Sequence, residues 1–191
     1  MAISRKWMPP LNFALIALFL RLLPHPPHFT LFGGLALCGG SLLPTTQALW
    51  LVLLPLLASD LVYGFHNTMP FVYGAFICIT LLGKALGRRP SWPIILGSTF
   101  ASSLIFFVLT NFGVWLTAGM YPLTLAGLGK AFTMALPFYR TDWGVSAAIL
   151  WGNFFISTLI SATLFLAIAQ RNSTREKTGS SNLIDLLTAF F

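Results

Sequence analysis

Long apolar runs separated by short polar breaks set the pattern of this chain. Runs over residues 7–23, 31–43, 48–62, 69–86, 92–110 and 145–169 predict six membrane-spanning helices, because about 20 apolar residues at 1.5 Å rise cross a hydrocarbon core. The first two runs are short, and the fifth can extend to Leu116. Pro9 and Pro10 fall in the opening turn of the first helix, where backbone N–H groups lack intrahelical acceptors anyway. The second run is rich in small residues (Gly33, Gly34, Ala36, Cys38, Gly39, Gly40), which suits close helix approach and places it inside the bundle. Gly87, Arg88, Arg89 and Pro90 stop the fourth helix. Residues 117–141 are only moderately apolar and broken by glycine and proline, and an interfacial or re-entrant helix is expected at 123–136, between the fifth and sixth spans.

Composition sharpens this into a class. With 57% hydrophobic and 8% charged residues in 191, against about a quarter charged in ordinary globular domains, the expected fold is an all-α polytopic membrane helix bundle. One transmembrane domain is expected over residues 1–170, with a cytoplasmic tail at 171–191 whose last nine residues are apolar enough to rest on a membrane surface. The lipid bilayer is therefore the first expected partner. The net charge of +7 does not point to nucleic acid, since the basic residues sit in small groups beside apolar runs and form no basic face with interleaved aromatics. Cys38 and Cys78 lie inside apolar runs and read as free thiols. Arg5 and Lys6 before an apolar run imitate a secretory signal, but Arg21 and a proline-histidine stretch stand where a small-residue cleavage site would be, so an uncleaved first helix is expected.

Basic residues in short loops orient the bundle. Arg5, Lys6, Lys84, Arg88, Arg89, Arg171, Arg175 and Lys177 fall on one side of a six-span topology, with Lys130 and Arg140 on the other. Both termini are expected on the cytoplasmic side of the membrane.

That topology gathers the varied chemistry at the opposite, outer ends of the helices: Arg21, His25, His28, Asp60, Tyr63, His66, Asn67, Asn111, Tyr121, Arg140 and Asp142. Asp60 matters most, because a carboxylate within a membrane helix costs on the order of 2.5 to 3.5 kcal/mol at mid-depth and less near an end. It requires a partner, and Arg21 lies at the same expected depth. Two readings stay open here: an ion pair tying the first helix to the third, or a polar cavity whose walls also contact a ligand. His25 and His28 flank Pro26 and Pro27, which favour extended backbone, so the two rings need not share a face. Imidazole and carboxylate suit zinc, nickel or cobalt, but no metal-ligand motif accompanies them, and neither metal nor cofactor is expected. Trp115, Tyr121, Phe138, Tyr139 and Trp143 read as an interface belt or as stacking walls for a flat ligand. No nucleotide-binding or serine-hydrolase motif occurs, and the chain is not expected to be an enzyme.

The stretches Leu22 to Thr30, Ser59 to His66, Met69 to Tyr73 and Thr110 to Trp115 with Tyr121-Pro122 resemble a family of uncharacterised bacterial integral membrane proteins, over about residues 11–165. In size and six-helix layout that family is similar to the substrate-binding S components of energy-coupling factor vitamin transporters. The likeness is architectural. It implies a vitamin or other small molecule held near the outer face, with a membrane coupling subunit and ATPases as partners. Such S components commonly carry small residues four apart on the first helix, whereas Ala14 and Ala17 here are three apart, which puts docking to a shared coupling module in doubt. The resulting expectation is an S-component-like uptake subunit with Arg21, His25, His28, Asp60, His66, Asn111 and Trp115 as substrate-binding residues. The alternatives are a structural or assembly protein without a ligand and a metal-dependent envelope enzyme.

Overall fold

The computed structural model describes residues 8–23, 30–87, 90–135, 154–164 and 166–167. Among these residues the fold is all-α: α1 (Met8–Leu22), α2 (Phe32–Leu42), α3 (Thr45–Tyr63), α4 (Met69–Ala85), α5 (Trp92–Thr117) and α6 (Leu125–Met134), followed by α7 (Phe154–Leu164). Of these, α3 and α5 are long and apolar enough to cross a membrane, whereas α2, α4 and α7 are shorter apolar helices. α1 has 15 residues. Among the described residues two of the six expected spans reach crossing length, the sixth being described only at 154–164 and 166–167, and α6 falls within the stretch expected as the interfacial helix. His25, His28, Arg140, Asp142, Phe138, Tyr139, Trp143 and the 171–191 tail lie outside the described residues.

The short helix α2 is the centre of the bundle, as its small residues led one to expect. Every residue from Phe32 to Gly40 is buried, and α2 packs most extensively on α4 and also on α3. The α2–α4 crossing is glycine on backbone in both directions. A Cβ at Gly40 would land on the Thr80 carbonyl, and one at Gly83 would land on the Leu37 carbonyl, so only glycine permits this separation. α7 closes on the other side of α2, with Thr158 and Ser161 standing where side chains at Gly33 and Gly34 would be. The Cys38 thiol bonds the Ala162 carbonyl at 3.4 Å.

α1 packs chiefly on α3, turning Ala14 and Ala17 inward until both are buried. These two small residues are used up in intramolecular packing and present no free surface.

Polarity is distributed in the opposite sense to that of a water-soluble bundle. On α5, Ser98, Thr99, Ser102 and Ser103 are buried, while Ile94, Leu96, Phe100, Leu104 and Val108 are exposed. Ser98, Ser102 and Ser103 donate to carbonyls three or four residues earlier on their own helix, a pattern that satisfies a hydroxyl without help from water. Ser157 and Ser161 do the same on α7. On α3, Ser59 and Asp60 are buried, with Trp50, Leu54, Leu57 and Leu61 outside.

Candidate functional site

Side-chain contacts fix which helix ends meet. Arg21 in the last turn of α1, Asp60 in the last turn of α3, Phe32 at the start of α2 and Tyr73 near the start of α4 all lie together at one end of the bundle. The α3–α4 connection makes this register. Gly64 ends α3 with φ 93°, a conformation that costs glycine little, and donates its N–H to the Asp60 carbonyl at 2.8 Å. Pro70 then starts α4, where its missing N–H is harmless.

Asp60 is the hub. It is 2% exposed, and both carboxylate oxygens are engaged: Arg21 Nη2 donates to Oδ1 at 3.0 Å and Tyr73 Oη donates to Oδ2 at 2.9 Å. Charge-assisted bonds of this kind offset the desolvation of a buried carboxylate better than neutral ones would. Tyr63 Oη donates to the Arg21 main-chain carbonyl at 2.8 Å. That carbonyl is one of the last four of α1 and has no intrahelical donor, so α3 caps α1 with the same turn that supplies the carboxylate. The position of Arg21 in the last turn also sets its positive charge against the negative end of the helix dipole.

The floor of this cluster is aromatic. The Arg21 guanidinium carbon sits 5.7 Å from the centroid of the Phe32 ring, within cation–π range. Phe32 contacts Phe76 edge-on at 6.1 Å, Phe76 contacts Phe154 at 6.3 Å, and Phe106 stacks on Phe154 at 4.2 Å. Four helices therefore contribute rings beneath the ion pair. The main chain after the proline stretch is tied to the same layer, because the Thr30 N–H donates to Ser157 Oγ at 3.1 Å.

One donor in the cluster is left over. Arg21 Nε is buried and has no acceptor among the described residues, although the side chain as a whole remains 21% exposed.

The remaining expected site residues separate from this cluster. His66 lies in the α3–α4 turn, exposed, with Nδ1 2.9 Å from Thr68 Oγ1. Asn111 and Trp115 are near the end of α5 that shares the Asp60 side of the bundle, as the packing of Gly113 against Phe71 shows. Asn111 donates to the Phe107 carbonyl on its own helix at 2.8 Å, and Trp115 Nε1 donates to the Pro122 carbonyl at 3.0 Å. Trp115 and Phe71 both contact Phe112, so these residues form an aromatic corner between α4, α5 and the loop before α6. Tyr73 and Phe32, absent from the expected set, belong to the cluster. A small apolar cleft of about 10 Å³, lined by Leu37, Cys38, Leu86, Ile95 and Ala162 among others, lies at the opposite end of the bundle.

Among the described residues the class so defined is an all-α bundle with apolar helix faces outside, hydroxyls inside and one buried ion pair near an end. The model of a family of unknown function (DUF6580) matches residues 1–176, and the chain belongs to that family. No curated protein and no solved structure matches it.

Proposed function

We propose that this chain is a multi-pass inner-membrane protein that binds a small molecule near the outer face, as an S-component-like subunit for uptake of a vitamin or another small molecule. Lipid as the surrounding medium accounts for the outward apolar faces and inward hydroxyls of α3 and α5. The observation that carries the binding reading is the partly exposed Arg21 side chain, whose buried Nε has no acceptor among the described residues. A guanidinium N–H left unbonded in a nonpolar setting costs about 1 to 3 kcal/mol, more when charged, and a ligand acceptor would remove that cost. Arg21, Asp60 and Tyr73 would form the polar part of the site, with Phe32 beneath. Asn111, Trp115 and His66 would contribute from the neighbouring corner and turn. A membrane coupling subunit and ATPases would supply the energy.

A second reading, a structural or assembly protein, is favoured by one specific observation: both oxygens of Asp60 already have protein donors. Native mass spectrometry of the full chain released from membrane separates the two. A binder retains a small molecule that is lost when Arg21→Leu and Asp60→Leu are combined in a chain that still folds. Absence of any retained molecule, together with no thermal stabilisation across a vitamin panel, would sink the binding reading.

A further inference from the structure

We infer that α5 and α6 form a re-entrant hairpin, in which α6 descends into the leaflet on the Asp60 side and Lys130 anchors it by binding a phospholipid phosphate of that leaflet. The inference rests on the membrane reading above and is independent of any small molecule. Two contacts set the direction of α6. Trp115 Nε1 in the last turn of α5 donates to the Pro122 carbonyl at 3.0 Å, and the Phe107 and Phe132 ring centroids are 5.9 Å apart. Phe107 lies eight residues before Trp115, and Phe132 lies eight residues after Thr124, the N-cap of α6. At 1.5 Å per residue both stretches run about 12 Å, so α6 returns antiparallel beside α5 and does not lie across its end. The turn fits that return: the Thr124 N–H donates to the Pro122 carbonyl at 2.8 Å, Thr124 Oγ1 accepts from the Gly127 N–H at 3.1 Å, and a Cβ at Gly127 would strike the Pro122 carbonyl. Among α1 to α6, α5 is the helix on which α6 packs, through the buried Gly127 and Ala131. α5 has 26 residues, about 39 Å against a hydrocarbon core of about 30 Å. With α5 upright and centred, Phe107 and the Phe132 ring beside it lie about 10 Å inside the core.

That depth decides what Lys130 does. It is exposed, two residues before Phe132, and has no acidic partner among the described residues. A cation in hydrocarbon is expensive. Cα–Cβ bonds tilt toward a helix N-terminus, and the N-terminus of α6 is its shallow end, so the lysine stem leans back toward the headgroups and its ammonium reaches them by snorkelling. The rest of the exposed face is Leu125, Ala126, Gly129, Thr133 and Met134, and the Thr133 hydroxyl is satisfied by the Lys130 carbonyl at 3.0 Å. Acyl chains therefore cover this face without stranding a polar group, and the anionic acceptor at the level of the ammonium is the lipid phosphate.

The test uses the full chain in phosphatidylglycerol nanodiscs, with Cys38→Ala and Cys78→Ala and a single spin label at Leu104→Cys, Leu125→Cys or Met134→Cys. Depth measured from collisions with oxygen and a nickel chelate is expected to place 134 about 13 Å deeper than 125. Equal depths mean that α6 lies flat in the interface and overturn the hairpin. A label at 104, on the exposed face of α5, that meets the nickel chelate as freely as in water overturns the membrane reading itself. The phosphate is tested without labels, so that arm stands whether or not the labelled chains fold. The unmodified chain, Lys130→Arg and Lys130→Met are released from nanodiscs of equal parts phosphatidylglycerol and phosphate-free digalactosyldiacylglycerol, and the retained lipids are counted by native mass spectrometry. The unmodified chain and Lys130→Arg are expected to prefer phosphatidylglycerol about fivefold more strongly than Lys130→Met does. An equal preference in Lys130→Met, or none in the unmodified chain, overturns the anchoring of Lys130 on lipid phosphate.

Discussion

Tyr73 donates its hydroxyl proton to Asp60 Oδ2 at 2.9 Å, across a turn that puts the fourth position from the end of α3 beside the fifth position of α4. Because the opposite oxygen is held by Arg21, three helices converge on one carboxylate. Removing the phenol oxygen leaves half of a buried charge unsolvated. Tyr73→Phe is expected to cost about 1.5 to 3 kcal/mol, the range for hydrogen bonds to charged groups. At about 2 to 4 °C per kcal/mol for a chain of this size, thermal unfolding in detergent should show a fall of several degrees. An unchanged midpoint would mean that the bond contributes nothing.

Breaking the pair itself should be more costly than losing the phenol. Asp60→Ala strands the Arg21 guanidinium and is expected to cost about 3 to 5 kcal/mol. Combining Arg21→Leu with Asp60→Leu removes both charges and should cost clearly less than the sum of the single changes, a non-additivity expected of residues in contact. Additive losses in the same unfolding assay would show that the two charges are stabilised independently.

The legibility of this cluster was uneven for physical reasons. Asp60 and Arg21 are conspicuous because a charge inside an apolar run has to be compensated, and so few charges are available that the partner is nearly forced. Tyr73 carries no such signal, since a tyrosine in an apolar helix packs well without any polar partner. Only the register of the α3–α4 turn, with Gly64 and Pro70 as its punctuation, brings it opposite Asp60. Asn111 and Trp115 share the Asp60 end of the bundle, but their polar groups are taken by the Phe107 and Pro122 carbonyls, local bonds that no pattern of hydrophobicity encodes. The central placement of α2 was readable from its glycines, because small residues in an apolar run have a packing use and little else. Span length was less readable, because a run of apolar residues marks what is buried or lipid-facing without marking where the backbone leaves helical geometry. α2 has 11 residues and α1 has 15.

The glycine contacts between α2 and α4 make a separate prediction. A side chain at Gly40 or Gly83 would overlap a carbonyl of the facing backbone, and a backbone cannot rotate away as a side-chain tip can. Gly83→Val is therefore expected to destabilise by at least about 2 kcal/mol, whereas Gly97→Val, whose Cβ meets nothing within 4 Å, should have little effect. Equal unfolding midpoints for the two variants would contradict the close crossing.

The two thiols report on the same packing. Cys38 is buried on α2 and Cys78 is exposed on α4. In detergent a small apolar maleimide should modify Cys78 readily and Cys38 at least roughly tenfold more slowly, reaching it only through opening of the bundle. In sealed membranes a charged, impermeant maleimide should modify neither, since Cys78 would then face lipid. Rapid reaction of Cys78 with the charged reagent would argue against burial of α4 in the bilayer.

Tyr63 gives the most selective probe of how the site is tied to α1. Its hydroxyl donates to the Arg21 carbonyl at 2.8 Å from an exposed ring, so Tyr63→Phe removes a neutral bond in partial contact with solvent. The expected loss is about 0.5 to 1.5 kcal/mol, smaller than for Tyr73→Phe. Its effect should be local: the freed carbonyl belongs to the last turn of α1, and fraying there moves the residue that carries the guanidinium. Hydrogen exchange of the amides at 19–23 should quicken by about threefold to tenfold, while amides in the middle of α3 and α4 keep their rates. If exchange rises equally across α1, α3 and α4, the bond acts on global stability and is not a cap. If exchange stays unchanged at 19–23, the Arg21 carbonyl is satisfied from elsewhere and α3 does not hold the end of α1.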